Sequence, residues 1–94
     1  MVVGVLTLEL FFPDAASLKA KRSLARPLLE AIRRGWNASA AEVGDRRDTW
    51  QRATVAVATV NTETAGAHET LAAVARRAEE FPGVRLLDYS IEIL

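Results

Sequence analysis

Residues 2–35 read VVGVLTLELFFPDAASLKAKRSLARPLLEAIRRG, and a change of period inside this stretch decides the fold. From Val2 to Phe12 the repeat is two, with Leu6, Leu8, Leu10 and Phe12 on one side and Val3, Val5, Thr7, Glu9 and Phe11 on the other. That is a strand. Its second side is still partly apolar, so a central place in a sheet is expected. Pro13 ends it. Beyond Ser17, a good N-cap, the repeat becomes helical, and Leu18, Ala25, Leu28, Leu29, Ile32 and Trp36 fall along one stripe. The spacing predicts a helix over Leu18 to Arg34. A bend is expected at Pro27, which has no amide donor and crowds the carbonyl of Ser23, and Gly35 stops the helix.

Working outward, Asn37 to Val43 reads as a short strand and Gly44 to Thr49 as a polar turn. Trp50 to Thr62 returns as a strand that is apolar on both sides, which suits an interior position. Asn61 or Thr62 is the expected cap of a second helix, whose apolar positions are Ala67, Leu71, Val74, Ala78 and Phe81. Pro82 and Gly83 stop it. In the last segment, Val84 to Leu94, Leu87, Tyr89, Ile91 and Ile93 alternate with Asp88, Ser90 and Glu92, giving a strand with one wet face. The order βαββαβ is the split βαβ arrangement of α+β, ferredoxin-like sandwiches. Right-handed crossovers then give a four-stranded antiparallel sheet of order 4-1-3-2, both helices on one face, in a single domain over residues 1–94.

Composition narrows the function classes. The 94 residues are 50% hydrophobic and 26% charged, as in an ordinary folded domain. There is no cysteine, so disulfides, thiolate metal sites and thiol nucleophiles are excluded. The apolar N-terminal run has no basic segment before it and ends at Pro13, so neither a signal peptide nor a membrane span is expected, and the default address is the cytoplasm. Ten of the twelve cations are Arg, a usage that suits a thermophile or a GC-rich genome.

Three segments carry a resemblance: Val3-Gly4-Val5-Leu6, Ser17-Leu18-Lys19-Ala20-Lys21-Arg22, and Ala41-Glu42-Val43-Gly44-Asp45 followed by Trp50-Gln51-Arg52-Ala53. In combination they resemble the YlxP-like proteins, small bacterial proteins assigned to a domain of unknown function. The likeness covers nearly the whole chain. It implies a ferredoxin-like fold and, because genes of that family often neighbour those of translation initiation and ribosome maturation factors, a link to ribosomes. It brings no catalytic residues with it.

The charge distribution is the functional lead. Net charge is zero, yet Lys19, Lys21, Arg22, Arg26, Arg33 and Arg34 all lie in the first helix, opposed there only by Glu30. Spacings of three, four and seven residues put Lys19, Arg22, Arg26 and Arg33 on one face, with Lys21 and Arg34 toward its margins. Phosphates fit along such a face; so does the blander role of a solvated surface. Arg46, Arg47, Trp50 and Arg52 form a second candidate cluster, for base stacking. The alternative is that Trp50 plugs the hairpin end of the core while Arg52 stacks on a neighbour or pairs with Glu42 across the ladder. Val3, Val5 and Phe11, on the outer face of the first strand, are the expected contacts of a homodimer.

No catalytic residues are expected. His68 is the sole histidine and has no second imidazole at metal-ligand spacing, Glu79-Glu80 reads as surface charge, and the serines lack a nucleophile-elbow sequence. The chain is therefore expected to be a non-enzymatic binding protein with no cofactor, no metal and no membrane contact. Its expected partner is rRNA or a ribosome-associated factor. The alternatives are a homodimeric protein-interaction module and, by analogy of fold alone, a domain that senses a small metabolite.

Overall fold

The computed structural model describes all 94 residues. Its elements run β1 (Val2–Phe11), α1 (Leu18–Gly35), β2 (Ala38–Val43), a 3₁₀ turn (Asp45–Asp48), β3 (Arg52–Asn61), α2 (Thr64–Glu79) and β4 (Arg85–Ile93). The four strands form one antiparallel sheet of order β2-β3-β1-β4, as expected, with β1 and β3 in the centre. No helix is long and apolar enough to cross a membrane.

Alternation along the central strands builds the core. Leu6, Leu8, Leu10 and Phe12 point inward from the β1 side, and Ala53, Val55 and Val57 from β3, all essentially without solvent contact. Ala25, Leu28 and Ile32 of α1 and Leu71, Val74, Ala75 and Ala78 of α2 cover them. The opposite sheet face has no layer over it; there Val3, Val5 and Phe11 are half-buried and Val60 is exposed.

Ser17 caps α1 as expected, its hydroxyl accepting from the Ala20 amide at 3.0 Å. The helix continues unbroken through Pro27, whose exposed position lets water reach the Ser23 carbonyl left without its amide. The start of α2 departs from expectation. Glu63, not Asn61 or Thr62, is the cap residue, and the Asn61 Oδ1 accepts from the Glu63 amide just ahead of the first turn.

The register of β4 also differs. Glu9 pairs with Asp88 but Leu10 with Leu86, so a bulge leaves Leu87 unpaired with β1. Leu86 therefore takes the inward position that simple alternation assigns to Leu87, and Leu87 is exposed. Gly44, at φ 80°, opens the 3₁₀ turn in a conformation that costs a side-chain-bearing residue strain.

Candidate nucleic-acid interface

The first turn of α1 holds an arrangement absent from the expectations above. Lys21 is fully buried, and its Nζ donates to Glu42 Oε2 at 2.8 Å and to the carbonyl oxygens of Arg46, Arg47 and Arg52 at 3.0, 3.2 and 3.2 Å. Three ammonium protons are thus shared among four acceptors. Glu42 is 20% exposed, so the pair sits at the margin of the core. Lys21 is accordingly removed from the expected nucleic-acid-binding residues, because its charge is spent inside the chain.

What it does instead is mechanical. It ties the start of α1 to the end of β2, to the 3₁₀ turn and to the first residue of β3, which fixes the loop leading to Trp50. Glu42 is engaged here, and Arg52, paired with Phe11 on the open face, does not reach it; the expected cross-ladder pair is absent.

The other basic residues of α1 are exposed. Arg22, Arg26 and Arg33 line one groove with Leu29, between α1 and the edge strand β2, and the Arg33 Nη2 donates to the Ala40 carbonyl of that strand at 2.5 Å. Arg22 also borders an adjoining polar hollow with Arg47, and Glu42, Asp45 and Asp48 line the same hollow. Lys19 and Arg46 are exposed and, like Arg22, Arg26, Arg33 and Arg47, make no ion pair. The second ion pair of the chain is Arg34 to Glu30 at 3.8 Å, too long and too exposed to count for much. The groove therefore presents guanidinium groups that make no ion pair, and Glu42, which also lines it, is already paired with Lys21.

Trp50 does not plug the core. It is 56% exposed and stands at a second groove, at the end of the sheet, with Phe11, Pro13, Gln51, Arg52 and Leu87. The β4 bulge turns Leu87 into this groove. Arg52 makes no ion pair, and its buried Nε finds no acceptor in the chain. Gln51 is held by its own contacts, its side-chain amide donating to the Pro13 carbonyl and its backbone carbonyl accepting from Phe12.

The buried lysine had a sequence signal. Lys21, Ala25, Leu28 and Ile32 share one helical stripe, and Glu42 follows Ala38 and Ala40 on the inward parity of β2. A cation on an apolar stripe and an acid on an inward strand position require each other. His68 is exposed, and no three His, Asp or Glu side chains gather in a way that would hold a metal ion.

Taken together, the chain is a ferredoxin-like α/β sandwich with a basic groove beside its first helix. Two solved structures have this architecture: the de novo designed protein Foldit4, at a TM-score of 0.55 and 12% identity over 100% of this chain and 97% of that one, and the designed protein LFR1 1 with ferredoxin fold, at 0.53 and 14% over 100% and 83%. Residues 3–91 match the family described as protein of unknown function (DUF503), and the chain belongs to that family. It is also 30% identical over 83 residues to the uncharacterized protein YlxP of Bacillus subtilis (strain 168), covering 88% of this chain and 89% of that protein. The expected family resemblance holds on both counts.

Proposed function

We propose that this protein is a non-enzymatic, cytoplasmic RNA-binding protein of the translation apparatus, which docks on rRNA through the groove between α1 and β2. The observation that carries the reading is the set of exposed, unpaired cations along that groove: Arg22, Arg26 and Arg33, extended by Lys19 at the helix start and by Arg46 and Arg47 in the turn. Guanidinium groups without carboxylate partners suit phosphate oxygens, and their charge concentrates on one side of a chain whose net charge is zero. The translational setting is supported by the gene neighbourhood that the family resemblance implies.

The mechanism is charge neutralisation and docking, with no bond made or broken. Arg22→Glu combined with Arg26→Glu is expected to abolish co-sedimentation with ribosomal subunits while shifting stability by no more than about 0.5 kcal/mol. Unchanged co-sedimentation of this double variant rejects the groove.

A second reading is favoured by an uncharged patch on the open sheet face, formed by Val5, Ala41, Ala56, Ala58 and Val60 and bordered by Glu9 and Glu92. A second copy of this chain is the occupant expected on that patch, since it would cover the same uncharged residues on both partners, with Val3 and Phe11 extending the contact along β1. Light scattering at high concentration is expected to give twice the monomer mass; a monomeric mass removes the homodimer.

A further inference from the structure

We infer that the groove around Trp50 is a stacking site for an unpaired nucleobase, whose adjacent phosphate is taken by Arg52. This inference rests on the RNA-binding reading and deepens it, since it adds to the groove beside α1 a second, single-strand-selective contact.

Three observations converge on this groove. The first is the exposure of Trp50: at 56% exposed, the indole forgoes much of the stabilisation that burial of so large a side chain brings, so packing does not explain its place. The second is the surface around it. Phe11 and Leu87 supply apolar walls, and Leu87 is there only because the bulge against Glu9 and Leu10 takes it out of the core.

The third is Arg52. Its guanidinium has no carboxylate partner: the Nε is buried without an acceptor, and the terminal Nη groups, which make no hydrogen bond within the chain and are not buried, are the donors a phosphate can reach. Asp14 also lines the groove and is exposed to water, where it makes no ion pair with Arg52. A flat aromatic face beside an unpaid cation matches a nucleotide, which brings a planar ring and an anion together.

The site is also held in place. Lys21 donates to the carbonyl of Arg52 and to those of Arg46 and Arg47, so both ends of the segment carrying Trp50 are anchored to α1. The same segment contributes Arg47 to the hollow beside Arg22, so one loop carries residues of both grooves.

The test uses the full chain with Trp36→Phe, which leaves Trp50 as the sole indole, titrated with an eight-nucleotide oligouridylate and, separately, with inorganic phosphate. Oligouridylate is expected to quench Trp50 emission, and phosphate alone to leave it unchanged. Trp50→Ala is expected to weaken oligouridylate binding about tenfold, with Trp50→Phe retaining most of the affinity. Arg52→Gln is expected to lower the salt slope by about one unit.

Silent Trp50 emission, or equal affinity of the Trp50→Ala protein, overturns the stacking site. If oligouridylate still binds in an Arg22- and Arg26-dependent way, the RNA-binding reading survives that result; if it does not bind at all, both fall. Quenching that depends on Trp50 but not on Arg22 and Arg26 upholds the stacking site and rejects the groove beside α1. A protein as the true occupant predicts an indole that oligouridylate leaves silent.

Discussion

The two helices lie on the same face of one sheet, yet they are built on different terms. In α2 the inward positions are Ala67, Leu71, Val74, Ala75 and Ala78, all apolar, and the last turn ends with Arg77 lying over Phe81, 4.9 Å from the ring centroid. In α1 the inward stripe begins with a lysine, the middle carries a proline, and the outward cations other than Arg34 make no ion pair. The second helix is a cover for the core. The first covers it too, but it also fixes a loop and presents a charged groove, features that a purely structural helix does not need.

Breaking the Lys21 clamp is the most severe way to test that difference. Lys21→Met leaves Glu42 without its partner and three carbonyls without their donor, so a loss of about 4 kcal/mol is expected in denaturant unfolding. Adding Glu42→Gln is expected to recover part of this loss, because the residual charge is then gone. Leu71→Ala in α2 is expected to cost about 3 kcal/mol by leaving a cavity, with no rescue from any charge change. If the lysine variant is as stable as the parent, the clamp has no structural role.

Pro27→Ala sharpens the comparison in the opposite direction. The exposed ring leaves the Ser23 carbonyl without an intrahelical donor, so alanine is expected to raise stability by about 2 kcal/mol, seen as a higher denaturant midpoint at unchanged slope. A drop in stability would mean that the proline packs or orients the helix in a way its exposure does not suggest. No position in α2 offers the same gain.

Much of the fold was legible because its signals are periodic and local. The two-residue repeat of β1, the serine before α1 and the doubly apolar β3 each have one physical solution, and together they leave one topology. The departures arise where a distant partner decides. Alternation alone puts Leu87 in the core, and only the pairing of Leu86 with Leu10 reveals the bulge. Lys21 borders the basic face as well as the apolar stripe of α1, and its burial requires Glu42, which lies 21 positions further along the chain in β2.

The candidate site was legible in part for the same reason. Arg22, Arg26 and Arg33 share a groove because their spacing demands it, whereas the exposure of Trp50 depends on where the Lys21 clamp holds its loop. The sequence supplied no sign that Arg52 would lack a partner, since Glu42, its nominal neighbour across the hairpin, is claimed by the lysine.

The most direct measurement sets matched charge losses on the two helices against each other: the salt dependence of rRNA affinity for Arg22→Gln with Arg26→Gln, and for Arg76→Gln with Arg77→Gln. Each pair removes two exposed guanidinium groups from a helix. The account predicts that the α1 pair lowers the salt slope by about two units and the α2 pair leaves it unchanged. Equal slopes for the two variants, or a larger loss from the α2 pair, would contradict it.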